Sequence, residues 1–307
     1  MQTEQSVLRI SIIATFLIAA LGIGIGLWIG SFSIMFDGVY SLTDAIMTVV
    51  ALLVSKLITS SLGERTQERL VRHFTMGFWH LEPIVLALSG FILMGTALYA
   101  FLGAVNSLMT GGRELNFDKA IIFAAVSMVT ALAMAAFDRR ANRRINSNFI
   151  EMDAKAWLIS AGMTGALLIA FIFGWAIQGT SLQWMAPYVD PAVLAVVCLF
   201  VLPIPVPTIR QALADVLLVT PAELKAHVDE VAARVVALHG FRGYRAYVAR
   251  VGRGRQIELY FIVPQGEAPR PLEHWDRLRD QIGEMIGDAS PDRWLTIAFT
   301  TDVEWAE

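Results

Sequence analysis

Three polar side chains interrupt an otherwise apolar run, "SIMFDGVYSLTDAI", at residues 33–46. Asp37, Tyr40 and Asp44 are spaced i, i+3 and i+7, which puts all three on one face of a helix. In a later apolar segment Asp153, Trp157 and Ser160 follow the similar rule i, i+4, i+7, with Lys155 off to the side. Oxygen donors converging from two helices suit a hard or borderline divalent cation. A carboxylate also takes up and releases protons, so cation binding and proton release become coupled at one site. Each residue has a plainer reading too. Asp37 lies near a segment end where it can reach water, and Tyr40 and Trp157 can be packing. Ser160 can be a small helix-packing residue, and Asp153 can pair with Lys155 or with an arginine of "DRRANRR". Asp44 resists that treatment. Counted from Phe32 it lies about 18 Å along a helix rising about 1.5 Å per residue. An unpaired carboxylate in mid-bilayer costs about 2.5–3.5 kcal/mol on insertion scales.

The elements that must position these groups are apolar. The chain has 307 residues, of which 56% are hydrophobic and 17% charged, whereas soluble domains carry about 25% charged residues. Segments of roughly 7–30, 32–58, 81–108, 117–138, 149–177 and 190–208 are long enough to span a bilayer as helices. Pro203, Pro205 and Pro207 should break the sixth near its end. Basic residues crowd two loops. Lys56, Arg65, Arg69 and Arg72 follow the second segment, and Arg139, Arg140, Arg143 and Arg144 follow the fourth. The loop after the fifth has none, and the loop after the third has only Arg113 and Lys119. The asymmetry predicts a multi-pass protein of the inner (plasma) membrane, embedded in the lipid bilayer, with both termini cytoplasmic. The N-terminus lacks the basic start and cleavage site of a signal peptide, so the first apolar segment is expected to remain in the mature protein.

From about residue 211 the composition changes, and residues 221–307 hold 11 Lys+Arg and 14 Asp+Glu. The expected division is a six-span transport domain over 1–210 and a cytoplasmic α+β domain over 211–307. "PAELKAHVDEVAARVVAL" and "PLEHWDRLRDQIGEMIG" read as helices, the alternating stretches around "GRGR" as two strands, and "RWLTIAFT" as a third. The order is α-β-β-α-β. About 85 residues bury a modest core, which makes homodimerisation through this domain the expectation.

Several classes fall away. A net charge of −3 argues against nucleic acid as a partner. A single cysteine, Cys198, permits neither an internal disulfide nor a thiolate cluster. No phosphate-binding loop points to ATP, no catalytic serine motif points to an enzyme, and "GIGIG" at 22–26 sits mid-span, where small residues pack helices. His227, His239 and His274 are scattered without metal-ligand spacing, so no bound zinc is expected in the tail.

Taken together, the six spans, the acidic face on the second and the α-β-β-α-β tail resemble the cation diffusion facilitator family of divalent metal transporters. Nearly the whole chain is covered. "FDGVYSLTD" is similar to the family's second-span signature, whose two ligand positions fall on Tyr40 and Asp44. "FTMGFWHLEPI" resembles the glycine-containing loop that ends in a glutamate, here Gly77 and Glu82, and "IRQALADVLLVTPAEL" the link into the tail. The fifth span departs from the pattern. Where the family typically has His-x-x-x-Asp, this chain has Ala156 and Ser160, with Asp153 one turn earlier.

The resemblance implies a secondary transporter that exports a divalent cation of the zinc, iron, manganese or cobalt class by proton antiport. Its site would hold Tyr40, Asp44, Asp153 and Ser160. Asp37 and Trp157 stand as possible accessory residues, and His80 and Glu82 as members of a charge network with the tail. The cation would be cargo, not a permanent cofactor, and loss of the imidazole argues for an ion harder than zinc. The competing reading is a membrane-anchored regulatory or interaction protein that keeps the scaffold without transporting metal.

Overall fold

In the computed structural model, residues 4–61, 78–145, 148–266 and 268–306 are described. Arg65, Arg69, Arg72 and Gly77 lie outside them. Among the described residues, six apolar helical stretches have the length and composition to cross a membrane. Five are the helices α1 (Glu4–Ile29), α2 (Phe32–Ser61), α3 (Leu81–Met109), α4 (Phe117–Ile145) and α5 (Asn148–Ala176). The sixth stretch, Gln183–Val216, holds α6 (Ala186–Val201) and α7 (Val206–Val216). A turn at 202–205 parts these two, where Pro203 and Pro205 cannot donate the hydrogen bonds a continuous helix requires. α7 begins at the next residue.

The chain divides into two compact units, Met1–Val50 with Ser89–Pro207 and Ala51–Leu88 with Thr208–Glu307. In the first, close packing depends on small residues. A Cβ built on Gly26 would stand 2.6 Å from the Met35 nitrogen, and one on Gly38 would stand 2.7 Å from the Ala19 carbonyl oxygen. Gly22 also faces Gly38, whereas Gly24 meets nothing. The "GIGIG" run is therefore a contact face between α1 and α2.

α4 buries Ala120, Ala124, Ala131, Ala135, Asp138 and Ala141 along one stripe at helical spacing, and packs extensively against α5. Asp190, near the start of α6, is 2% exposed. It accepts from the Ser31 hydroxyl at 2.7 Å and from the Phe32 N–H at 2.9 Å. The first N–H groups of a helix have no partner within it, and a carboxylate there meets the positive end of the helix dipole. Asp190 therefore caps α2 from a distant part of the chain.

The second unit contains the α+β fold: α8 (Ala222–His239), β1 (Gly243–Val251), β2 (Gly254–Ile262), α9 (Leu272–Ile286) and β3 (Arg293–Thr300). β2 is central, antiparallel to β1 and parallel to β3. A parallel pair needs a crossover, and α9 supplies it. Ile257, Leu259 and Phe261 alternate along β2 toward a core shared with Val228 and Val235 of α8 and Ile282 of α9. The pattern read from sequence is the pattern observed.

Candidate metal centre and the acidic layer

The polar residues of α2 form a stripe. At about 100° per residue, Asp37, Tyr40, Asp44 and Thr48 share an arc of about 80°. Asp44 and Thr48 are exposed, and Asp37 and Tyr40 half-buried. Ile46, 45% exposed, lies on the opposite side with Leu42 and Val49 beside it. The helix thus shows one polar and one apolar open face, and Asp44 is on the polar one. No charged neighbour among the described residues compensates Asp44. Tyr40 lies close enough to Asp44 to feel its charge, and its ring packs against Phe36 at 5.6 Å.

On α5, Ser160 is half-buried and Ala156 exposed, on the face that also carries Asp153. Met163, one turn beyond Ser160, packs on the same apolar cluster as Tyr40. Asp153 lies about 10 Å along the helix from Ser160. The structure places its carboxyl beside Asp138 of α4, within hydrogen-bonding range. Taken as carboxylates, Asp138 through both oxygens and Asp153 through Oδ2 are buried and receive no hydrogen bond from a donor among the described residues. Lys155 pairs instead with Glu151 at 2.6 Å, and Arg139, Arg140, Arg143 and Arg144 are exposed. Trp157, 7% exposed, donates its indole N–H to the Ser11 hydroxyl at 2.8 Å, which ties α5 to α1.

Residues 8–217 match the sequence pattern of a family described as the cation efflux transmembrane domain. The chain belongs to the cation efflux family. No curated protein matches it as a relative. As a cation efflux protein with six membrane-capable helices it is a multi-pass membrane protein, and the family consists of cation transporters.

Within this cation efflux chain, no three His, Cys, Asp or Glu side chains among the described residues are grouped closely enough to hold a metal ion. Tyr40 and Asp44 come together on α2, while Asp153 joins Asp138. Glu82, at the start of α3, pairs with the tail. It accepts from the Arg253 side chain at 2.8 Å, and a second guanidinium nitrogen reaches the Ser55 hydroxyl at 2.9 Å. The hydrogen bond to Glu82 holds the Arg253 pKa above its ordinary value. His80 is half-buried two residues away. Sequence reasoning passed over Asp138, Asp190 and Ser11. A stripe count would have found Asp138, because it continues the alanine spacing of α4 with a carboxylate in place of a methyl group.

Proposed function

We propose that this chain exports a divalent metal cation across the inner membrane in exchange for protons, with both termini in the cytoplasm. Asp44 is the principal ligand. Tyr40 and Ser160 add oxygen donors, and Asp153 serves the ion toward the end of α5 that carries the basic loop. One observation carries the reading: in a cation efflux domain, a carboxylate with no compensating charge among the described residues sits on a polar stripe of α2, opposite an apolar open face. A passing cation supplies the charge that Asp44 lacks. Alternating exposure of this region to the two sides of the membrane would complete the cycle.

An oxygen-dominated donor set favours manganese, iron or cobalt over zinc. The cation is cargo, and no resident cofactor is required. The tail holds two protomers together. Its exposed apolar residues, such as Trp305 at 77% exposure, give a partner surface to cover.

Ion flux into proteoliposomes, screened in competition across divalent metals, tests the proposal. Asp44→Asn should abolish flux and leave the fold intact, since it removes charge and keeps shape. Undiminished flux in that variant would remove Asp44 from the mechanism. The absence of a three-residue His/Cys/Asp/Glu cluster among the described residues favours a second reading, a regulatory protein on the transporter scaffold. Wild-type protein that moves no divalent ion would support it.

A further inference from the structure

Asp138 is fully buried, neither of its carboxylate oxygens receives a hydrogen bond from a donor among the described residues, and Asp153 Oδ2 beside it is in the same condition. Their surroundings are ordered in layers. On one side Val7, Ala141 and Ile150 form an apolar cluster from α1, α4 and α5. On the other, Ala135, Trp157 and Ala161 form a second cluster, joined by Ala14. Asp138 falls between Ala135 and Ala141 on α4, Asp153 between Ile150 and Trp157 on α5, and Ser11 between Val7 and Ala14 on α1. A polar layer of three oxygen-bearing side chains is therefore enclosed by apolar layers. The nearby cations do not enter it: Lys155 is held by Glu151, and the four arginines after Asp138 are exposed.

We infer that Asp138 and Asp153 form a second divalent-cation site, separate from Asp44 and nearer the basic-loop end of the α4–α5 hairpin. Buried polar groups are ordinarily satisfied. One proton shared between the two carboxyls makes a single O–H···O bond and leaves buried oxygens unpaired. A divalent ion neutralises both charges. Hard cations such as manganese or magnesium are commonly held by one or two carboxylates with retained waters, and those waters reach the remaining oxygens. The Ser11 hydroxyl, 2% exposed and already oriented by Trp157, lies in the same layer to meet such a water. This site rests on the reading of the chain as a divalent-cation transporter and gives its ion a stopping place on the path to Asp44.

The test is a count of bound Mn²⁺ by electron paramagnetic resonance on the full chain in lipid nanodiscs, with no gradient applied. Wild type should bind two ions per chain. Asp138→Asn and, separately, Asp153→Asn should each bind one, as should Asp44→Asn, and Asp44→Asn combined with Asp138→Asn should bind none. The two pair variants are near-isosteric, and either one that elutes as wild type suffices. Retention of the wild-type count in the pair variants overturns the inference and leaves a proton-sharing pair. So does a wild type that binds a single ion lost only with Asp44→Asn. If Asp44→Asn keeps the wild-type count while the pair variants lose an ion, the Asp44 reading fails and this site stands.

Discussion

Arg253 reaches Glu82 across 171 positions of sequence, with its side chain donating at 2.8 Å and its backbone N–H directed at the same carboxylate at 3.3 Å. Gly252, at φ +61, and Gly254 let the β1–β2 turn approach this closely. A Cβ on Gly254 would fall 2.7 Å from the Trp79 ring. A turn of the tail is therefore seated on the loop that leads into α3.

Glu82→Ala should lower thermal stability by about 1 kcal/mol, since the pair is about one-third exposed and partly screened by solvent. Arg253→Ala should cost a similar amount, and the double variant little more than either alone. Additive losses in that double-mutant cycle would show that the two side chains act independently.

Gly254→Ala tests the same seat by packing. The added methyl group meets the indole of Trp79, and the expected loss is about 1–3 kcal/mol. Faster hydrogen exchange at the β1–β2 turn should accompany it. Unchanged exchange would mean the ring simply moves aside.

Asp190→Ala should destabilise the first unit by about 1–2 kcal/mol, the cost of losing a helix cap. Asp190→Asn keeps an acceptor and should cost less. Thermal unfolding in detergent gives the ranking, and equal losses for the two variants would contradict a capping role.

Ala156→His combined with Ser160→Asp places an imidazole and a carboxylate at two α5 positions that carry neither. The selectivity of flux should move toward zinc. An unchanged metal profile in a folded double variant would show that these positions do not face the ion.

Removing residues 221–307 should shift the protein from dimer toward monomer by light scattering in detergent. A truncated chain that stays dimeric would place the subunit contact in the membrane helices.

Much of this architecture was legible because its signals are repetitive. Long apolar runs mark the helices, and alternation along "RQIELYFIV" places Ile257, Leu259 and Phe261 on one face. The prolines after Leu202 mark the break between α6 and α7. The exact partners in long-range polar pairings were not legible. Nothing near Asp190 in sequence announces that it serves Ser31 and Phe32, and Asp138 reads locally as the start of a basic loop. Its meaning comes from Asp153 on the neighbouring helix. Similarly, Lys155 next to Asp153 in the chain suggested an ion pair, but the helix turns Lys155 outward to Glu151.

The cap supplied by Asp190 does not act alone at its end of the first unit. The Arg113 N–H donates to the Pro187 carbonyl at 2.8 Å, and the Arg113 guanidinium lies 3.8 Å from the centre of the Phe32 ring. The α1–α2 turn, the loop before α4 and the start of α6 are thus stitched into one knot. Helices fastened at one end can splay only at the other, so this knot should act as the pivot of any rocking motion. Spin-label separations measured across it should hold steady between metal-loaded and metal-free protein, and a large change there would put the pivot elsewhere.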